Sequence, residues 1–335
     1  MFKDIKQVMK DSVLYGIGNV AVKLVGFILI PLYTDAEYFS TADYGLMGLL
    51  EVTSQILIAV MGLSLYSGLI RWYWDAEYRD KQKTIFFTTL LFTILTSLCI
   101  GSVLWLNVGE LSALLVQQEG YSLGGELPYI LQLLILTSML GAVVEVPQNL
   151  LRLQRKPIYY SLTNIVRLFV TLVLTIYFTI SLHRGVSGVY EAQLVGIVIQ
   201  LLMVLPLVIK NSSCRVDRRC TIQLLAYSYP LVFPAIVGSL LTVFDRYIIN
   251  HFQGLDDVGF YSLGYKVGNT LKVFIVTSVQ LALTPLLMKK MNDPDNKQFY
   301  SKVLTYFSFG LMFCALGLNL FSREGIVWVT TNPDY

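Results

Sequence analysis

Residues 187–209 read SGVYEAQLVGIVIQLLMVLPLVI and are followed at 210–219 by KNSSCRVDRR. The first stretch carries one charge, Glu191, and is long enough to cross a bilayer core, which takes about 20 mostly apolar residues as a helix. The second crowds Lys210, Arg215, Arg218 and Arg219 together, and cations beside an apolar run mark the cytoplasmic side of a membrane. This couplet recurs along the chain and decides the fold class: an all-α, polytopic membrane protein.

Composition agrees. Of the 335 residues 55% are hydrophobic and only 14% charged, with a mean hydropathy of +0.62. A soluble domain carries roughly 25% charged residues, so this chain lacks the charge to coat a water-facing surface. That excludes a soluble globular enzyme, a disordered chain and a nucleic-acid binder.

Nine stretches meet the length test for a transmembrane helix: 12–33, 44–70, 84–106, 127–151, 158–182, 187–209, 224–250, 259–288 and 303–321. None shows the strand alternation of an outer-membrane barrel. The first follows Lys3, Lys6 and Lys10, is too long for a signal-peptide core and reads as a retained helix. Sorting the cations gives the orientation. Besides those three, one set of connecting segments holds Arg71, Arg79, Lys81 and Lys83; Arg152, Arg155 and Lys156; the four cations of 210–219; and Lys289, Lys290, Lys297 and Lys302. The alternate segments hold only Arg184 and Arg323. The N-terminus of this multi-pass membrane protein is therefore expected in the cytoplasm. The segments on the other side are short and leave no room for a folded external domain.

Shifted by 214 residues, the chain matches itself in spacing and loop charge. Asp43-Tyr44-Gly45 falls on Asp257-Val258-Gly259, and the first three spans fall on the seventh to ninth. Six spans per copy gives two parallel six-helix repeats. The expected division is a six-helix bundle over 1–210 and, over 211–335, the first three helices of a second bundle that is apparently truncated. On this register Glu324–Tyr335 falls on Glu110–Tyr121, so the equivalents of spans four to six are expected beyond Tyr335.

Five cations lie inside spans: Lys23, Arg167, Arg246, Lys266 and Lys272. A Lys or Arg at a helix centre costs roughly 2.5–3.5 kcal/mol on insertion scales, so such groups face a cavity or a partner. Helical spacing places Lys23 with Gly16, Asn19 and Gly26, and Arg167 with Tyr160, Thr163, Asn164 and Thr171. Lys266 belongs to a stripe of Ser262, Asn269, Thr277, Gln280 and Thr284, whereas Lys272 points away from it. Arg246 stands near enough to the outer end either to snorkel or to face a cavity. The embedded acids are Glu51, Glu145, Glu191 and Asp245. Two readings remain open: structural ion pairs, such as Glu51 with Lys23, or an anion-attracting cavity in which Glu51, Glu145 or Asp245 serves a coupling ion. Pro230 and Pro234 mark either a kink or a hinge in the seventh span. Cys99 and Cys314 lie in spans, Cys214 and Cys220 in a basic loop, and His183 and His251 stand singly, so no disulfide framework or metal site is expected. No phosphate loop or nucleophile motif calls for a cofactor or for covalent chemistry.

Several short motifs carry a family resemblance. Ser12-Val13-Leu14-Tyr15-Gly16-Ile17-Gly18-Asn19 leads into Ile30-Pro31-Leu32-Tyr33, and Asp43-Tyr44-Gly45 opens the second span. Leu151-Arg152-Leu153-Gln154-Arg155-Lys156, Tyr227-Ser228-Tyr229-Pro230-Leu231 and Asp245-Arg246-Tyr247-Ile248-Ile249 follow in order. Together they resemble the bacterial polysaccharide (O-antigen and capsule) export flippases of the multidrug/oligosaccharidyl-lipid/polysaccharide superfamily, which also contains the MATE transporters. The resemblance implies two six-helix bundles around a cavity that opens alternately to each side. It implies an oligosaccharide on undecaprenyl pyrophosphate as substrate, an H+ or Na+ gradient as drive, and membrane lipids, polysaccharide polymerase and chain-length proteins as partners. On that view Lys23, Arg167 and Lys266, with Arg246 and Lys272, attract the pyrophosphate. A cation-coupled drug exporter of the same superfamily and a membrane polymerase or ligase are the alternatives.

Overall fold

The computed structural model describes residues 28–115, 125–213, 215–276, 279 and 296–330, and all the regular structure among them is helical. Helix α1 (Ile30–Tyr33) ends the expected first span, whose body lies outside the described residues. It is followed by α2 (Thr41–Gly62), α3 (Leu65–Trp72), α4 (Gln82–Leu106) and α5 (Val108–Leu115). Then come α6 (Leu127–Leu153), α7 (Pro157–Ile176), α8 (Gly185–Asn211), α9 (Arg218–Phe252), α10 (Leu255–Thr270) and α11 (Asn296–Val329). A 3-10 turn over Ala76–Lys81 leads into α4, and π-helical turns at Tyr177–Ser181 and Leu271–Val276 extend α7 and α10.

Among the described residues seven helices are long and apolar enough to cross a membrane: α2, α4, α6, α7, α8, α9 and α11. They correspond to the second to seventh and the ninth expected spans. Of the eighth, α10 and its π turn are described, and most of its remainder is not. This is a polytopic, all-α membrane protein. Helix α9 runs unbroken through Pro230 and Pro234, and α11 extends well past both ends of 303–321.

The second span departs from its expected course. Instead of one helix over 44–70, α2 stops at Gly62, and Leu63 (φ 43°) and Ser64 (φ 50°) take the left-handed conformation before α3 begins. Left-handed backbone costs a non-glycine residue roughly 1–2 kcal/mol, so neighbours must hold the break in place. Thr96 Oγ1 donates to the freed Met61 carbonyl at 2.8 Å, and Ser64 Oγ donates to Leu231 O at 3.4 Å. Apolar periodicity cannot reveal such a break, because the residues on either side are equally apolar.

Helix starts follow local rules. Ser40 and Asp43 form a capping box, with Ser40 Oγ accepting from the Asp43 N–H at 3.1 Å and Asp43 Oδ2 accepting from the Ser40 N–H at 2.9 Å. Gly254 (φ 101°) makes the tight turn into α10, whose first turn carries Asp256 and Asp257 against the positive end of the helix dipole.

Helices α2 and α10 pack along each other through small residues. A Cβ on Gly45 would lie 1.9 Å from Leu255 O, and one on Gly259 would lie 2.6 Å from Thr41 O. One turn further, a Cβ on Gly48 would meet Ser262 Oγ at 2.4 Å. The pairs Thr41 and Leu255, Gly45 and Gly259, and Gly48 and Ser262 are each 214 residues apart. Positions matched by the sequence repeat thus face one another across this contact, as small-residue packing between spanning helices requires.

Two apolar clusters flank the contact. One, with Ile30, Leu49, Leu134, Tyr190 and Leu263, surrounds the end where α2 and α10 begin. The other, with Leu65, Leu69, Phe86, Leu150 and Leu224, lies at the basic end. There α9 is tied to the preceding helices. Lys81 Nζ pairs with Asp217 Oδ2 at 2.5 Å, and the Thr84 and Ser213 hydroxyls lie 3.1 Å apart. Asp217 also caps α9 by accepting from the Arg219 N–H at 3.0 Å. The Lys81 hydrogen bond, then the backbone N–H groups of Cys220 and Arg219, hold its carboxyl below the ordinary value of 3.8.

Two outcomes follow for the purified protein, measured by thermal denaturation. Gly45→Ala and Gly259→Ala lower the midpoint, because overpacking typically costs about 1–3 kcal/mol and here the obstacle is backbone. Gly238→Ala, with nothing within 4 Å of its Cβ, is neutral or stabilises by about 0.4–1 kcal/mol. At the basic end Asp217→Asn keeps the cap acceptor and loses the charge, whereas Asp217→Ala loses both, so the midpoints fall in that order. A depressed carboxyl stabilises above its unfolded pKa and loses that contribution as pH falls through the folded one. Acidification from about 3.8 down through the lowered folded value therefore erases the difference between wild type and Asp217→Asn.

Candidate functional site

A cavity of about 310 Å³ opens where α2, α8 and α10 meet beside the end of α1. Helix α2 supplies Tyr44, Met47, Gly48, Glu51, Ser54 and Gln55, which its 3.6-residue period gathers on one face. Tyr190 and Gln193 project from α8 at i, i+3 spacing next to Val189, Tyr33 closes the end near α1, and Lys266 enters from α10. At 1.5 Å per residue, Glu51 lies about 15 Å and Lys266 about 16 Å from the starts of their helices, near mid-depth.

The polar groups divide into committed and uncommitted. Lys266 Nζ sits 4.9 Å from the centre of the Tyr44 ring, a cation–π contact that compensates part of the cost of removing the ammonium from water. Ser54 Oγ lies 3.0 Å from Ser138 Oγ. Glu51, Gln55 and Gln193 make no side-chain hydrogen bond or ion pair among the described residues. Among the described residues the cavity thus has tyrosine walls, one anchored cation, one carboxylate and two amides.

The structure brings together only some of the expected site residues. Lys23 lies outside the described residues. Lys266 and Glu51 share the cavity. Arg246, 5% exposed, does not snorkel: its Nη1 reaches Gly48 O at 3.4 Å and its guanidinium stacks 5.0 Å from the Tyr265 ring. It therefore lies against the wall of the cavity rather than in it. Arg167 belongs to a separate network between α7 and α8. Its Nη1 donates to Gln200 Oε1 at 3.1 Å, and Gln200 Nε2 donates to Asn164 Oδ1 at 3.0 Å. Lys272 is an exposed residue of the π turn after α10.

The acids scatter likewise. Glu145 lies on α6 with its carboxylate beside Gly62, 3.9 Å from where a Cβ would stand. Asp245 accepts from the Tyr261 hydroxyl and from the Arg246 N–H. Glu191 pairs with Arg184 at 2.5 Å and accepts from Tyr129 Oη at 2.8 Å. Arg167, Arg246, Lys266, Glu51 and Glu145 have no ion-pair partner within 4 Å among the described residues. Among those residues there is also no group of acids, cysteines and histidines able to hold a metal.

Sequence reasoning missed Tyr33, Tyr44, Tyr190, Gln193 and Gln200 as site or network residues. A signal for the last two exists. They fall seven residues apart on one face of an otherwise apolar span, where an uncharged amide has no reason to stand unless it meets another polar group.

Comparison with known proteins places this geometry. The family described as polysaccharide biosynthesis protein matches residues 8–291. Among solved structures, the MATE multidrug transporter DinF-BH superposes with a TM-score of 0.70 at 16% identity, over 97% of this chain and 78% of that one. A Vibrio cholerae MATE transporter gives 0.66 at 16% identity, over 98% and 76%. A Pyrococcus furiosus transporter of the MOP superfamily, described as having a binding pocket of reverse polarity, gives 0.66 at 16% identity, over 98% and 75%. At these identities the likeness is one of fold. No curated protein matches the chain at a significant level.

The α7–α8 network yields a stability test. Gln200→Leu strands the Arg167 guanidinium and is expected to cost about 1.5–3 kcal/mol, the range for a hydrogen bond to a charged group. The double variant Arg167→Leu/Gln200→Leu recovers most of that loss, because apolar replacement of both partners is often near neutral. Thermal denaturation of the two variants and wild type checks the pattern.

Proposed function

Since the chain belongs to the polysaccharide biosynthesis protein family, we propose that it moves a lipid-linked oligosaccharide across the cytoplasmic membrane by alternating access. The observation that carries this reading is the mid-depth cavity between α2, α8 and α10. A spanning bundle with no transport task has no use for a lysine at that depth beside a carboxylate and two amides that have no hydrogen-bond or ion-pair partner among the described residues, because each costs free energy to bury. The fold shared with solved MATE transporters supports a transport task, whatever the cargo.

On this reading the chain is a carrier that does no covalent chemistry. The basic end faces the cytoplasm, as the cation asymmetry requires. The polar head of the substrate, a sugar chain on undecaprenyl pyrophosphate, passes through the cavity while the lipid tail stays in the bilayer. The division into repeats at about residue 210 supplies the two bodies that move, and the α2–α10 contact is one place where they meet. Arg167 is the embedded cation available to the anionic head, and Lys266 stands in the cavity itself. Glu51 and Glu145, both without an ion-pair partner among the described residues, are the acids available to an H+ or Na+ that drives the cycle. Asp245 is already engaged by Tyr261 and the Arg246 N–H.

The deciding experiment uses the full-length protein in proteoliposomes with two cargoes, a fluorescent undecaprenyl-pyrophosphate oligosaccharide and a cationic dye. The expected result is translocation of the lipid-linked sugar and no dye movement. Lys266→Gln with Glu51→Gln is expected to slow translocation on the order of tenfold, a change of about 1.4 kcal/mol in the barrier. Dye movement without flipping identifies a drug exporter instead.

A further inference from the structure

The proposed substrate has two polar parts, an anionic pyrophosphate and a largely neutral sugar chain, and the cavity has to suit one of them. Its charge balance argues against the first. The only cation lining it among the described residues is Lys266, held over the Tyr44 ring. The same small space contains the Glu51 carboxylate, which repels a phosphate. Arg246 is not among the lining residues, and its guanidinium lies behind them, with Nη1 on the Gly48 carbonyl and its plane over the Tyr265 ring. Arg167 is engaged by Gln200 in another part of the bundle.

A sugar ring meets what remains. Its hydroxyls are donors and acceptors, and Glu51, Gln55 and Gln193 present one acceptor-only group and two amides that have both. Its apolar faces suit aromatic walls, which Tyr33 and Tyr190 provide. A volume of about 310 Å³ stands at the low end of the roughly 300–1,000 Å³ typical of ligand pockets. It therefore admits a ring or two rather than a complete oligosaccharide.

We infer that this cavity seats a sugar ring of the translocated oligosaccharide, with Glu51 accepting hydrogen bonds from neighbouring hydroxyls, and that it is not the pyrophosphate site. The inference rests on the proposed function and narrows it. Glu51 becomes a positioning group that reads the sugar, and the pyrophosphate is left to cations elsewhere along the path.

The test is saturation-transfer NMR on the full-length protein in lipid nanodiscs. The probes are methyl glycosides of glucose, galactose, N-acetylglucosamine and glucuronic acid, together with inorganic pyrophosphate. At least one glycoside is expected to receive saturation from the wild-type protein and to keep it in excess pyrophosphate. Glu51→Gln and Gln193→Ala, each checked for retained helicity by circular dichroism, are expected to weaken that binding on the order of tenfold. Displacement of the glycoside by pyrophosphate overturns the inference, as does unchanged glycoside binding in both variants. Glycosides that fail to bind a protein able to flip the lipid-linked oligosaccharide overturn it while leaving the transport reading intact. A protein that flips no such lipid overturns the transport reading itself.

Discussion

Helices immersed in lipid gain little from hiding apolar surface against each other, so their association depends on close van der Waals approach and on polar groups that find partners. In this protein that requirement concentrates where α2 meets α10. Gly45 and Gly259 let the Thr41 and Leu255 carbonyls come within a distance that admits no Cβ. The cavity depends on the same approach. Gly48 lies under Ser262, receives Arg246 on its carbonyl and also lines the cavity. The close crossing thus carries Lys266 over the Tyr44 ring and into the space that Glu51 occupies from the other side. A bulkier crossing would separate the two and leave each charge facing lipid or bare helix.

Charge inside the bundle is managed without direct ion pairs among the described residues. Lys266 and Arg246 each rest on an aromatic ring, and Arg167 rests on an amide. The described ion pairs Lys81–Asp217 and Arg184–Glu191 sit instead at the ends of helices, where water screens them and where they contribute modestly. This division has a physical logic. A buried ion pair is tight and hard to separate, whereas an ammonium on a ring or a carboxylate beside amides can exchange its contacts for those of a guest. Among the described residues the interior is therefore polar without being locked shut by its own charges.

Much of the fold was legible in the sequence because its signals are long. Apolar runs of more than 20 residues and basic loops between them survive any error of a few positions, and seven described helices stand where those runs predict them. The close approach of Gly45 and Gly259, 214 residues apart, was not legible, because spacing and loop charge say nothing about which helices touch. The site was only half legible. Embedded charge pointed to Lys266 and Glu51, but it also pointed to Arg167, which tertiary packing engages with Gln200. The tyrosine walls were hidden for a different reason. An aromatic residue in a membrane helix looks alike whether it faces lipid, core or cavity, and only the neighbouring helix decides. The break at Leu63–Ser64 was invisible because left-handed backbone at a non-glycine residue is imposed by contacts distant in sequence, here Thr96 and Leu231.

That break has a mechanical side. A continuous helix behaves as a stiff rod, and torque applied at one end appears at the other through the ladder of backbone hydrogen bonds. Two consecutive left-handed residues cut the ladder between α2 and α3. The direction of α2, which carries Glu51 into the cavity, is therefore not imposed by the backbone on Trp72 and the basic loop beyond it. Helix α3 stays free to keep its own bearing against α9, through Gly68 beneath Ser228 and the Leu65, Leu69 and Leu224 cluster. The single span that sequence reading expects is two helices set by different neighbours, one lining the cavity and the other reaching the basic end.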